Sequence, residues 1–218
     1  MKLVTMASVE GYYYKPRMDH DILRQYGDGI ICLSGCPGSR FIHYVKNNQL
    51  DEAKKLLTFY IECFGKEHVF VEIMKHEEID WYIPLIPTIV SIAKEMNLPI
   101  VGTWDAHYLH AEDAEVQDTL VAINTGSEVG ASKISMKNGN YSFISSDDAW
   151  EAFKEIPDAY INTQKVADLV DLEIELGKLY FPEYKLDNNI DPNDALKKMA
   201  YDGIERLEIE KTDVVIKR

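Results

Sequence analysis

The stretch that decides the fold is Pro99-Ile100-Val101-Gly102-Thr103-Trp104-Asp105-Ala106-His107. Its first five residues are a short apolar run, which predicts a buried strand, and the last four extend from the end of that strand. Two similar runs, Gly29–Leu33 and Val69–Met74, precede it. Helical patterns separate the three runs, and strands that alternate with helices in this way pair in parallel. The sequence therefore predicts an α/β fold, either a barrel or an open doubly wound sheet.

Helices are predicted from the spacing of apolar residues and from residues that begin or end helices. They span Asp19–Tyr26, Arg40–Asn47, Leu50–Cys63, Trp81–Met96, Glu112–Asn124, Ser146–Ala152, Asp158–Leu172 and Asp194–Glu210. Ser146 is expected to cap its helix, and Pro84 and Pro87 to confine or kink theirs. Residues 1–27 are otherwise predicted to be mixed, 127–140 an exposed loop and Tyr141–Ile144 a further strand. Three strand-helix units are too few to close a barrel, so half a barrel is the simplest interpretation.

The composition bounds the class of protein. Of 218 residues, 46% are hydrophobic and 28% charged, which is the balance of a soluble globular protein. No apolar run approaches the roughly 20 residues of a membrane span, and the N-terminus does not resemble a signal peptide. The cysteines Cys32, Cys36 and Cys63 form no CxxC pair, which indicates reduced thiols in the cytoplasm. The net charge of -14 repels phosphate, so most of the surface should not hold duplex DNA.

Asp105 and His107 are the most informative polar pair. In an extended segment, residues two apart point the same way. After a buried parallel strand, this spacing puts a carboxylate and an imidazole at the C-terminal mouth of the sheet, where such folds keep their sites. The two groups could bind one divalent metal ion, Zn²⁺ or Mn²⁺. The alternative is an aspartate that caps the next turn beside a half-exposed histidine.

Three more residues bear on this candidate site. Cys36 follows the first predicted strand at the same end of the sheet, where a thiolate could bind the metal or simply fill space under a turn. Glu72 lies among apolar neighbours inside the second strand, and His76 follows that strand. Both could donate or accept hydrogen bonds that orient the metal-binding side chains, or they could be ordinary residues of the sheet edge.

An aromatic and basic run lies near the N-terminus. Tyr12-Tyr13-Tyr14 is followed by Lys15 and Arg17. Such a run could stack bases and bind phosphates, or it could pack against a neighbouring domain.

Four short stretches occur in one order along nearly the whole chain. They are Gly11-Tyr12-Tyr13-Tyr14-Lys15-Pro16-Arg17, Gly29–Cys36, Leu98–Leu109 with Glu112-Asp113, and Phe181-Pro182 followed by a helix that holds Tyr201–Leu207. In this order and separation they resemble the PHP (polymerase and histidinol phosphatase) domain of bacterial DNA polymerase III alpha subunits, from the middle of that domain onward.

The resemblance implies a distorted (β/α)7 barrel of the PHP type. Residues 1–180 would be its C-terminal half, and residues 181–218 a linker and helical connector towards the polymerase palm. By the same resemblance, Cys36, Asp105 and His107 fall on metal-binding positions, with Zn or Mn as the metal when the set is complete. The remaining ligands, an N-terminal His-x-His pair among them, lie outside this chain. So do the Mg-binding catalytic aspartates of the polymerase, so no catalytic residue is expected here.

Three functions follow as hypotheses. In the first, the parent protein is a DNA-directed DNA polymerase of chromosomal replication, whose PHP domain gives metal-dependent 3′→5′ exonuclease proofreading. In the second, the domain is a scaffold that docks a proofreading subunit without chemistry of its own. The third is a free-standing phosphatase of the histidinol-phosphatase type, against which the linker-like tail argues. The resemblance implies four partners: the rest of the alpha chain, DNA through the parent protein, the sliding clamp and a proofreading exonuclease subunit. No membrane is expected to be a partner. The isolated chain is expected to be inactive.

Overall fold

The computed structural model describes residues 1–76, 78–129, 138–181, 186 and 190–217. It divides into two compact units, residues 1–171 and residues 172–218. The predicted loop 127–140 and linker 181–189 lie partly outside the described residues. The predicted boundary between residues 180 and 181 stays a prediction.

Three parallel strands form the sheet of the first unit, in the order β1-β2-β3. They are β1 Cys32–Leu33, β2 Val69–Met74 and β3 Ile100–Thr103. Cys32 lies opposite Val69 in the first pair, and Val71 lies opposite Ile100 in the second. The predicted mixed α/β architecture with parallel strands is confirmed.

The first strand is shorter than the predicted Gly29–Leu33. The backbone turns before it, because Gly29 has a φ of +73° and the N–H of Ile30 donates to the carbonyl of Gly27 over 3.2 Å. Only Cys32 and Leu33 remain extended enough to pair with β2.

Helices connect and cover the strands. They are α1 Lys2–Val9, α2 His20–Tyr26, α3 Arg40–Lys46, α4 Leu50–Phe64, α5 Ile86–Glu95, α6 Ala114–Thr125, α7 Ser146–Phe153, α8 Pro157–Asp168, α9 Pro192–Arg206 and α10 Asp213–Lys217. The restriction expected from the two prolines is observed, since Ile83–Leu85 is a separate 3-10 turn ahead of α5. None of the described helices is long and apolar enough to cross a membrane.

Three local predictions were wrong. Residues 2–9 form a helix where a mixed segment was expected. Ser145, and not Ser146, caps α7, because its hydroxyl accepts a hydrogen bond from the N–H of Asp148 over 3.1 Å. Tyr141–Ile144 is not a strand in the described part of the chain, where only Ser142 forms an isolated parallel bridge, with Tyr108.

The core lies between the sheet and the helices that follow β1 and β2. Every residue of β2 is buried, as expected for the central strand of a covered parallel sheet. The largest fully buried apolar side chains of the core, three of them in β2 itself, are Phe41, Ile42, Leu57, Val69, Val71, Ile73, Tyr82 and Ile89. The apolar faces of α3, α4 and α5 supply most of this surface. Its removal from water is the main favourable contribution to the free energy of folding.

Two contacts pack α7 and α8 against β3. A Cβ at Gly102 would come within 2.8 Å of the Phe153 ring, so the glycine allows α7 to approach the strand closely. The buried side-chain amide of Asn162 on α8 donates to the carbonyl of Ile100 over 2.8 Å. This hydrogen bond satisfies a strand carbonyl that would otherwise be buried without a partner.

The second unit contains α9 and α10, which have no buried residues. Asp191 caps α9, since its carboxylate accepts from the N–H groups of Asn193 and Asp194, and Pro192 occupies the first turn. This start agrees with the predicted helix to within two residues.

Replacing Asn162 by alanine should lower the free energy of unfolding by about 1–3 kcal/mol, because the carbonyl of Ile100 would lose its buried donor. Urea unfolding followed by circular dichroism measures the change. The matched control on the same helix is Gln164→Ala. The Gln164 side chain is exposed, so its loss should change the free energy of unfolding by less than about 0.5 kcal/mol. Equal effects of the two substitutions would contradict a structural role for the buried amide.

Candidate functional site

The ends of the three strands meet at one edge of the sheet, because parallel strands all run towards the same side. Ser34–Cys36 follow β1, Lys75 and His76 follow β2, and Trp104–His107 follow β3. In folds of this kind this edge carries the functional residues.

Glu72 connects all three strands at this edge. Its carboxylate accepts a hydrogen bond from the N–H of Gly35 after β1 over 3.0 Å and another from the Thr103 hydroxyl at the end of β3 over 2.6 Å. Its own backbone N–H donates to the Ser34 hydroxyl over 2.9 Å. With 7% of its surface exposed, this carboxylate is buried but fully provided with donors. Its observed contacts are therefore with the strands.

Asp105 and His107 form a close pair, with Oδ1 and Nε2 3.3 Å apart. The spacing argument assumed an extended backbone at this pair. The backbone instead turns at Asp105, whose φ is +54°. Left-handed backbone is uncommon outside glycine, although aspartate tolerates it better than most residues. The pair thus meets through a tight turn and presents an oxygen and a nitrogen donor, both partly exposed.

Cys36 lies in the turn after β1 and is exposed. Its carbonyl accepts a hydrogen bond from the N–H of Ser39 over 2.8 Å, which closes the turn ahead of α3. Among the residues that the structure describes, no three His, Cys, Asp or Glu side chains gather so as to hold one metal ion. The structure therefore brings Asp105 and His107 together without joining Cys36 to them, and metal binding by the three stays a prediction.

His76 lies at the centre of an aromatic cluster. It is 2% exposed, stacks on Tyr141 with ring centroids 4.5 Å apart, and lies 5.6 Å from the Trp104 ring. Its Nδ1 is 3.3 Å from Oε1 of Glu78, an oxygen that has no hydrogen-bond partner among the residues that the structure describes. Its Nε2 and the indole N–H of Trp104 have no hydrogen-bond partner in the described part of the chain. Unpaired buried groups cost free energy, so packing must hold this cluster together.

Tyr141 joins this aromatic cluster to the Asp105–His107 pair. Its carbonyl accepts from the N–H of His107 over 2.8 Å, and the two rings meet edge to face at 6.0 Å. Burial and the nearby Glu78 carboxylate raise the pKa of the Tyr141 phenol, so this ring stays neutral across the physiological range. Sequence reasoning marked residues 141–144 as extended but could not show that Tyr141 packs between two histidines.

A cavity of about 950 Å³ lies beside the pair. Its walls include Trp104 and Tyr108, which flank the pair, together with Lys75, Glu78 and Glu155. Asp105, His107 and Cys36 do not line it.

The two remaining cysteines belong to the core region, with Cys63 buried in it and Cys32 half-buried against it. Burial, with smaller contributions from Cys63 and Glu72, raises the pKa of the Cys32 thiol to about 12. Burial also raises the pKa of Cys63 above its usual value. Both thiols therefore stay protonated near neutral pH.

Comparison with known proteins identifies a family model and several proteins to which this chain is similar. Residues 1–76 match the family model described as PHP domain. The chain is similar to the DNA polymerase III subunit alpha of Borreliella burgdorferi (29% identical, covering 85% of this chain and 16% of the relative) and of Aquifex aeolicus (27%, 94% and 18%). The subunit of Saccharopolyspora erythraea is 33% identical over 78% of this chain and 14% of its own length.

The predicted resemblance is confirmed, to DNA polymerase III alpha subunits over most of this chain and to the PHP domain over residues 1–76. The chain spans about one sixth of the length of the curated relatives that it matches.

Glu72→Ala should lower the free energy of unfolding by about 2 kcal/mol or more, because the N–H of Gly35 and the Thr103 hydroxyl both lose a charged acceptor. Thr103→Val removes one of these hydrogen bonds and should cost less. Urea denaturation of both variants measures this order, with the exposed Glu62→Ala on α4 as the control. A loss no larger than that of the control would mean that other contacts hold the strand ends.

Cys36 should be the one cysteine that reacts rapidly with a disulfide reagent such as DTNB at pH 8. It is exposed, whereas Cys63 is buried and Cys32 half-buried, and burial raises the pKa of both of these thiols. The absorbance of released thionitrobenzoate counts the reactive thiols in the folded chain. Cys36→Ser should abolish the fast reaction and Cys63→Ser should leave it; a fast reaction that survives Cys36→Ser would refute the placement of these thiols.

Proposed function

We propose that this chain is part of the PHP region of a replicative DNA polymerase of the alpha-subunit type, a DNA-directed DNA polymerase. The observation that carries this proposal is the similarity to alpha subunits over 78–94% of the chain, although the chain spans only 14–18% of those relatives. The parallel sheet supports it, since the turn at Cys36 and the pair Asp105 and His107 follow strands that end at the same edge.

The three strands are proposed to be a segment of a distorted (β/α)7 barrel. In the described part of the chain β1 pairs with β2 alone, so its other edge is free for a further strand. An unpaired edge of a parallel sheet needs cover or a partner. In this proposal the partner is a strand contributed by the rest of the polymerase chain.

A metal-dependent 3′→5′ exonuclease would need more ligands than this chain presents. Asp105 and His107 offer one oxygen and one nitrogen donor, and no third donor joins them among the described residues. Structural and catalytic sites for Zn²⁺ usually take at least three protein ligands. The residues present therefore do not complete a metal site. The proposal assigns the missing ligands to the rest of the barrel, with Zn²⁺ or Mn²⁺ as the metal that would activate water for phosphodiester hydrolysis.

A scaffold role is the second candidate, and the contacts of Glu72 favour it. This carboxylate at the mouth of the sheet is already occupied by Gly35 and Thr103. A PHP region of this kind would support the polymerase and dock a proofreading subunit without chemistry of its own. The curated relatives are polymerase subunits, which disfavours a free-standing histidinol-phosphatase type.

The proposal is tested with the complete gene that encodes this chain. Its product should extend a primer on a DNA template in the presence of Mg²⁺, and failure to incorporate nucleotides would refute the assignment to a polymerase. The same protein, given Mn²⁺ or Zn²⁺ and a mismatched primer end, distinguishes the exonuclease from the scaffold.

If the PHP region is an exonuclease, Asp105→Ala and His107→Ala should reduce nucleotide release at least tenfold and leave primer extension intact. Asp28→Asn, at an exposed position, is the matched control. Release that is absent from the wild type, or unchanged in both variants, would assign the scaffold role. The isolated 218-residue chain should show neither activity, because it lacks the other ligands.

A further inference from the structure

An exposed aromatic loop lies between α1 and α2. We name residues 11–17 the tyrosine loop. Its three tyrosines are 62%, 63% and 79% exposed at Tyr12, Tyr13 and Tyr14. Tyr82 in the core, by comparison, is 1% exposed. Three consecutive solvent-exposed rings form an apolar patch of the kind that marks interaction sites.

The backbone of the tyrosine loop is anchored on both sides. Gly11 and Arg17 donate to carbonyls of α1, over 3.1 Å to Met6 and 3.3 Å to Ala7. A Cβ on Gly11 would come within 1.9 Å of the Arg17 carbonyl oxygen, so only glycine allows the loop to close. Tyr14, at the tip, has a φ of +61°, a strained conformation for a bulky residue. The fold thus holds Tyr14 outward at a cost in free energy.

High exposure and edge-to-face geometry keep much of the Tyr13 and Tyr14 ring surface open to a ligand. Tyr13 and Tyr14 meet edge to face, with centroids 4.6 Å apart and planes at 78°. They therefore do not cover one another as stacked rings would. The guanidinium of Arg17 lies 5.1 Å from the centroid of Tyr13, which places a cation next to the aromatic surface.

The charge of the tyrosine loop is opposite to that of the whole chain. Lys15 and Arg17 are its only charged residues, whereas the chain carries a net charge of -14. Within the described ranges, neither cation forms an ion pair with a carboxylate. Three consecutive rings followed by two cations offer stacking surfaces for bases and, beside them, positive charges for phosphates, the two features by which proteins bind a single strand.

We propose that the tyrosine loop binds single-stranded nucleic acid. Bases stack on Tyr13 and Tyr14, and neighbouring phosphates contact Lys15 and Arg17. Duplex DNA binds more weakly, because its bases are already stacked and the acidic remainder of the chain repels its denser charge. This inference does not depend on the proposed polymerase assignment, and its failure would leave that assignment untouched.

Fluorescence anisotropy of labelled dT15 with the 218-residue chain tests the proposal. Tyr14→Ala should weaken binding about 5- to 150-fold, the range expected from the loss of one stacked base. Tyr14→Phe keeps the ring and should retain most of the affinity. With two phosphates contacted, the logarithm of the association constant should fall with the logarithm of salt concentration with a slope of about -1.4. Parallel titrations with rU15 and with a 15-base-pair duplex distinguish DNA from RNA and single from double strands.

Tyr180 provides a matched control. It is 71% exposed, and the ammonium of Lys178 lies 5.1 Å from its ring centroid, as Arg17 does from Tyr13. Lys178 is neutralised by Glu175 at 3.0 Å, so this pair should not attract phosphate. Tyr180→Ala should therefore leave binding unchanged.

Three results would overturn the proposal. They are the absence of saturable dT15 binding at 50 mM salt, an equal loss of affinity in Tyr180→Ala and Tyr14→Ala, and self-association of the chain that depends on Tyr14 in place of dT15 binding. Circular dichroism of each variant checks that it remains folded, and the salt slope and the duplex titration of the unsubstituted chain keep the test decisive if Tyr14→Ala unfolds.

Discussion

The buried carboxylate of Glu72 is the constraint on which the mouth of the sheet depends. It accepts from the turn after β1 and from the end of β3, while its own strand lies between them. A charge in the apolar interior is tolerated when donors replace its water, and here Gly35 and Thr103 supply them. The turn that carries Cys36 and the segment that carries Asp105 are thereby fastened to the same group. The geometry of the candidate site follows from this one connection.

Tyr141 and the two histidines that it contacts lie next to these strand ends. Tyr141 holds the backbone of His107 and stacks on His76, so the segment around residue 141 closes over the ends of β2 and β3. Buried polar atoms of His76 and Trp104 are left without partners in the described residues, a local cost that the sheet and its helices must outweigh. Strain of this kind concentrates at functional edges of folds. The left-handed turn at Asp105 lies at the same edge.

Local chemistry explains why much of the architecture could be predicted. β2 matches its predicted bounds because an apolar run interrupted only by Glu72, next to helical patterns, has few alternatives in a parallel sheet. Gly65 ends α4 with a φ of +83°, which glycine adopts without strain. The errors lie where signals are short or ambiguous. Ser145 and Ser146 are equally good caps by residue type, and α1 has no side-chain cap or acidic first turn to mark its start.

The sequence by itself determined the parallel α/β class, the alternation of strands and helices, and the placement of Cys36, Asp105 and His107 after strands. These features depend on periodicity and on residues adjacent in the chain. Only the tertiary structure decided that Asp105 meets His107 through a left-handed turn, that Glu72 serves the strands, and that Tyr141 packs between two histidines. The contacts of Glu72 and Tyr141 join residues distant in sequence, and no local pattern encodes a distance between side chains that meet only when the sheet is assembled. The contact between Asp105 and His107 is local, but it depends on a left-handed backbone turn that residue spacing does not specify.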